Sequence, residues 1–123
     1  MTLSCRGIRG ATTSTENSRE AILEATRDLL EQLVQINELD IDEIAATFFT
    51  TTEDLTAEFP AVAARQIGWE YVPLICGHEI RKPDGLSSCI RVLILANTTK
   101  TPQQINHLYL RGAVGLRSGD IHN

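Results

Sequence analysis

The sequence predicts an α/β (α+β) fold, a mixed β-sheet with helices on one side, and three observations carry that expectation. Stretches with helical apolar spacing alternate with short β-branched runs in the order β-α-β-α-β-β-α, joined by short connections. The chain has 123 residues, enough for one domain over 1–123 and too few for a second independent core. Hydrophobic residues make up 42% and charged residues 22%, ordinary globular usage, with no repeat, low-complexity tract or linker.

The first strand is expected at Cys5–Ala11, where Gly7 and Gly10 thin the strand or admit a close neighbour. A long helix follows, with Asn17 and Glu20 at capping-box spacing and Ile22, Ala25, Thr26, Leu29, Leu33 and Ile36 as its apolar stripe. It ends in the polar turn Asn37–Asp42. Ile44–Thr51 is β-branched and apolar, and adjacent Phe48 and Phe49 must point to opposite faces of a strand. Pro60 opens a short helix over Ala61–Ile67 that Gly68 stops. The extended Tyr71–Cys76 stretch contains Pro73, which confines it to an edge or a bulge. Arg81–Ser88 is a loop. Ile90–Ala96 is the most strand-like segment, with Ile90, Val92 and Ile94 on one face and Arg91, Leu93 and Leu95 on the other. Pro102 is expected to open a helix to about Leu110, before a glycine-containing tail able to move after about residue 112. Helices on one side leave the second sheet face bare, so a partner subunit is expected to cover it.

Several function classes are excluded by composition. Net charge is −5, and residues 1–60 hold four basic and twelve acidic side chains against seven and four in the remainder, so a nucleic-acid partner is not expected. No apolar run is long enough to span a bilayer, and no secretory leader is visible near Met1. Cys5, Cys76 and Cys89 lack metal-cluster spacing and are odd in number, which suits a reducing, cytoplasmic setting. His78, His107 and His122 lack metal-ligand spacing and are expected at the surface.

Nine of the eleven basic side chains are arginine, the cation suited to forked recognition of carboxylates. Arg91 stands among apolar neighbours in its strand, where it either pairs with a nearby carboxylate or binds an anion. Arg9 poses the same question between Ile8 and a bare Gly10. Glu79 either caps a strand in solvent or accepts hydrogen bonds at a pocket rim. Cys76 is expected as a small core residue rather than a nucleophile, and Tyr109 as a core residue with a wet hydroxyl at a helix end. The residues alone lead to a small α/β oligomer binding an anionic ligand through arginines.

Arg6-Gly7-Ile8-Arg9-Gly10-Ala11-Thr12-Thr13, Phe59-Pro60-Ala61 with Arg65, Gly68-Trp69-Glu70-Tyr71-Val72-Pro73, Cys76-x-x-Glu79, Cys89-Ile90-Arg91-Val92, His107-Leu108-Tyr109-Leu110 and Leu116-Arg117 occur in order from about residue 6 to 117. Together they resemble the short monofunctional chorismate mutases of the AroH type. The resemblance implies a homotrimeric pseudo-α/β barrel with active sites between subunits, converting chorismate to prephenate without metal or cofactor. It implies Arg91 beside the substrate's ether oxygen, Arg9 on a carboxylate, Glu79 on the ring hydroxyl and Tyr109 on the side-chain carboxylate. Cys76 would line the site, Phe59, Ala61, Val72, Leu74 and Ile75 would form its wall, and Arg65, Leu116 and Arg117 would close it from the neighbouring chain and the tail. One member of that family has Lys after the Phe-Pro-Ala alanine where this chain has Val62, and if that Lys helps attract the dianion, the resemblance implies that this chain leans more on Arg65 and Arg117. An alternative of similar architecture is a non-catalytic or imine-deaminase-like trimer that grips small carboxylates.

Overall fold

The computed structural model describes residues 2–118, with Arg117 and Ser118 described by their backbone alone. Five strands form one mixed sheet: β1 (Ser4–Thr13), β2 (Ile44–Thr51), β3 (Leu74–His78), β4 (Cys89–Thr98) and β5 (Leu108–Tyr109). Their order across the sheet is β3-β2-β4-β1-β5. β4 lies centrally, antiparallel to β1 and β2, while β3 and β5 are parallel additions at the two edges. Pro73 immediately precedes the edge strand β3, where its missing N–H costs no ladder bond.

Helix α1 (Arg19–Asn37) covers one sheet face together with α2 (Ala61–Gln66), burying Ile8, Leu29, Leu30, Leu33, Phe49, Trp69, Val92 and Ile94 in the main core. The helix cap differs from the expected Asn17 box. Ser18 is the N-cap and accepts from the Ala21 N–H, whereas the Asn17 side chain pins the 56–57 loop through the Thr56 and Ala57 amides. Ile36 also departs from the expected stripe and is exposed. The buried arc passes instead to Asn37, whose amide donates to Leu33 O and Asn106 O and accepts from the Asn106 N–H. Gly68, with φ +96°, follows the C-cap of α2 in the left-handed region that favours glycine.

Gly10 makes room for the helix as well as bordering a cavity beside Arg9. A Cβ there would stand 2.7 Å from Leu33 Cδ1 and 3.2 Å from both Leu29 Cδ1 and Val92 Cγ1. The bare position therefore lets α1 approach the sheet, on the face opposite the Arg9 side chain. Gly10→Ala is expected to cost about 1–3 kcal/mol through overpacking and to lower the melting temperature by several degrees in a calorimetric scan.

The expected helix from Pro102 to about Leu110 is absent. One 3-10 turn, Pro102–Gln104, gives way to extended chain and β5, which pairs with the free edge of β1 while Ile105, Leu108 and Leu110 pack with the main core. The last segment, a 3-10 turn at Arg111–Ala113 and helix α3 (Val114–Ser118), lies on the other sheet face. There Ala113 and Leu116 pack with Ala11, Cys89, Leu86 and Tyr109. The helices thus do not keep to one side as the sequence suggests. Beyond that corner the second face carries a row of apolar side chains from neighbouring strands: Ile75, Phe48 and Leu93, 59%, 41% and 37% exposed. No helix of the described residues is long and apolar enough to cross a membrane.

Candidate active site

Strand alternation places Cys89, Arg91, Leu93 and Leu95 of β4 on the second face, opposite the main core. Register then decides the neighbours of Arg91: Thr50 on β2 and Ala11 on β1 stand beside it, and Ala11 in turn pairs with Tyr109 on β5. Arg9, two residues before Ala11, shares that face and pairs with Leu93. Glu79 follows β3 directly, and its N–H donates to Thr51 O at 2.8 Å, which brings the carboxylate back over the sheet.

The result is a cavity of about 330 Å³ lined by the side chains of Arg9, Phe48, Thr50, Glu79, Arg91, Leu93 and Tyr109, with Gly10 and Val92 completing its wall. That volume is at the small end of ligand sites. Two arginines and one carboxylate give the lining a net positive charge, although the whole chain is acidic.

Inside it, Arg91 Nη1 stands 3.7 Å from Glu79 Oε1, while Thr50 Oγ1 donates to Glu79 Oε2. At 3.7 Å this pair of atoms is beyond hydrogen-bond distance and interacts as neighbouring charges. Both are partly open, with side-chain exposures of 30% and 22%. The two readings of Arg91 therefore meet in one place: the carboxylate that compensates it lies within the cavity and leaves the guanidinium facing it. Glu79 is a rim acceptor held by Thr50, not a solvent cap.

A second group of expected site residues lies elsewhere in the chain. Cys76 alternates with Ile75 in β3 and turns toward α2 and the main core. Burial pushes its thiol above the ordinary value, against the Ala61 backbone hydrogen bond and the charge of Arg65. Cys76 is therefore a poor nucleophile. Phe59 is exposed and lines, with Cys76, Pro60 and Leu55, a separate cavity of about 390 Å³. Ala61 and Arg65 belong to α2, with Arg65 exposed. Val72 and Leu74 pack with the main core, and Ile75 lies on the open face beside Phe48. Leu116 joins Arg9, His107 and Tyr109 around a third cavity of about 320 Å³ next to the first. The side chain of Arg117 lies outside the described residues.

One chain thus brings together Arg9, Glu79, Arg91, Tyr109 and Leu116, and leaves Phe59, Ala61, Arg65 and Cys76 as a distinct patch at the β3 edge. Leu93 shares the Arg91 face by strand alternation, as the sequence predicts, whereas Thr50 and Phe48 line the arginine cavity without being singled out in the sequence, since only the β2–β4 register reveals them. His107 was expected at the surface. It is half-buried, and its Nδ1 accepts the Arg9 backbone N–H at 2.9 Å. Among the described residues no group of three or more His, Cys, Asp or Glu is placed to hold a metal ion.

Comparison with known proteins gives a consistent picture. Residues 5–120 match the family model for chorismate mutase type I. A protein of Thermus thermophilus named chorismate mutase AroH is 50% identical over 113 residues, covering 91% of this chain and 93% of that protein. Its namesake in Bacillus subtilis (strain 168) is 42% identical over 113 residues, 91% of this chain and 89% of that one. A solved structure of a chorismate mutase from Clostridium thermocellum superposes with a TM-score of 0.87 at 44% identity, covering 88% of this chain and 96% of its own.

Proposed function

This chain belongs to the type I chorismate mutases, and from that premise we propose how its residues carry the conversion of chorismate to prephenate. The enzyme is an isomerase of aromatic amino acid biosynthesis. The single observation that carries the mechanistic reading is the convergence of Arg9, Glu79, Arg91 and Tyr109 on one cavity of the open sheet face.

The rearrangement breaks one carbon–oxygen bond while one carbon–carbon bond forms, with no proton transferred and no covalent bond to the protein. Two contributions are then open to these side chains. Arg9 and Tyr109 hold the substrate's carboxylates so that the flexible enolpyruvyl arm lies over the ring, which turns a rare conformer into the bound one. Arg91 supplies a fixed positive charge where negative charge grows on the departing ether oxygen. A guanidinium stays charged across the working pH range, so this stabilisation needs no titrating partner. Glu79, oriented by Thr50, accepts the ring hydroxyl's hydrogen bond and faces the carbon skeleton from which electron density departs.

We assign the cover of the open face to neighbouring copies in a homotrimeric pseudo-α/β barrel. The bare Ile75–Phe48–Leu93 row supports this, because such an apolar strip is costly in water. So does the division of the site residues into two patches. Phe59, Ala61, Arg65, Ile75 and Cys76 of one chain would meet the arginine cavity of the next, with the backbone of Val72 and Leu74 behind them and Leu116 and Arg117 closing it. Val62 contributes no charge, so Arg65 and Arg117 attract the dianion. The reading places one catalytic domain over 1–123, acting in the cytoplasm without nucleic acid or membrane partners. Incubating the purified protein with chorismate and following the loss of its ultraviolet absorbance tests the activity. Steady consumption with formation of prephenate is the expected result, and unchanged chorismate with retained binding of small acids would favour the carboxylate-binding alternative.

A further inference from the structure

His107 touches the backbone of a proposed anchor, and the mechanism above gives it no part. β5 is two residues long and meets β1 only through Gly10↔Leu108 and Ala11↔Tyr109. The Arg9 N–H therefore lies just beyond the ladder, at the point where β1 has lost its strand partner on that side. His107 Nδ1 fills the gap, accepting this N–H at 2.9 Å in place of a strand carbonyl. The ring's own base is firm. The preceding residue, Asn106, is tied through both its N–H and its carbonyl to the Asn37 side chain, which is itself fully buried in α1. A hydrogen-bond chain thus runs from the helix core through 106–107 to the residue that carries the guanidinium.

We propose that neutral His107 is a positioning residue for the Arg9 carboxylate anchor, fixing the backbone of β1 so that the guanidinium meets the substrate in register. The inference rests on Arg9 being that anchor. Only an imidazole with an unprotonated Nδ1 can accept this bond, so the proton resides on Nε2. Burial first, and then the Arg9 charge, hold the imidazole below its ordinary pKa of 6.5. The charged and titratable groups that line the adjoining cavity with it are Arg9 on β1 and Tyr109 on β5, among the described residues. With the folded value depressed, the bond is complete at pH values above the ordinary imidazole range. It is lost as pH falls through the lowered value, where a second cation also appears beside Arg9.

Steady-state kinetics on chorismate across pH test this with two substitutions. His107→Ala is expected to raise KM about fivefold, the effect of one lost hydrogen bond, with kcat within about twofold of wild type. His107→Asn, whose Oδ1 stands where Nδ1 stood, is expected to restore KM and to abolish the acid-side rise in KM of the wild-type enzyme. An unchanged KM in the alanine variant, a failure of asparagine to restore it, or an acid limb that survives in the asparagine variant each overturns the inference. Arg9→Ala separates the two levels: if it leaves KM unchanged the anchor role itself is wrong, whereas if it raises KM while His107→Ala does not, only the positioning role falls.

Discussion

Arg91→Met is expected to lower kcat by about two to three orders of magnitude while leaving the fold and assembly intact. Methionine keeps much of the apolar stem of arginine and removes the charge, so the substitution isolates electrostatics from packing. The size follows from what a preorganised donor at a developing anion contributes, about 3–4 kcal/mol where it has been removed in other enzymes. Stability should move far less. The charge pair with Glu79 is separated by 3.7 Å and partly open to solvent, a geometry in which ion pairs contribute about 1 kcal/mol or less. A circular-dichroism melt close to wild type alongside the kinetic loss is the expected pair of results. Arg91→Lys should recover only part of the rate, because a point charge on a flexible stem does not reproduce the planar fork. Near-normal turnover in the methionine variant would remove the central cation from the mechanism.

What the sequence disclosed and what it concealed divide along a physical line. Local signals were legible: the β-branched run of β2, the proline before β3, the apolar alternation of β4 and the glycine that ends α2 all act within a few residues of themselves. Long-range pairings were not. The helix expected after Pro102 failed because Ile105, Leu108 and Leu110 satisfy either a short helix or an extended edge, and the choice is made by a free strand edge nearly a hundred residues earlier. Ser18 displaced Asn17 as the cap for a similar reason, the Asn17 side chain being claimed by the 56–57 backbone. Gly10 borders the arginine cavity, as its bareness beside Arg9 suggests, but its second use, making room for Leu33 of α1, appears only once the helix is packed on the sheet. In the site, Arg91 and Arg9 stood out as charges in apolar strands, because an arginine in such a place needs a counterpart. Thr50 and His107 did not, since a threonine in a strand and a lone histidine are ordinary until register shows what they face.

Mixing two inactive variants should restore activity, and the amount restored reports the assembly. In the proposed ring each site takes Arg9, Glu79, Arg91 and Tyr109 from one chain and the Phe59–Cys76 patch from the next. Arg91→Ala disables the first half. Arg65→Glu disables the second by opposing the substrate's charge from α2, where Arg65 is exposed. Each variant alone is expected to be nearly inactive. Co-expressed under two different tags and purified through both, every mixed trimer holds two chains of one kind and one of the other. Going round such a ring, an intact first half meets an intact second half at one interface in three, so the preparation should show about one third of wild-type turnover per site. A mixed dimer with sites shared in the same way would instead show about one half, and a site completed within a single chain would show no recovery. In the proposed ring the contact is heterologous: the β3 edge of one copy would meet the arginine face of another, and such a contact either closes into a ring or runs on as a filament. An apolar row as exposed as Ile75, Phe48 and Leu93 favours closure, since a closed ring buries that row in every copy.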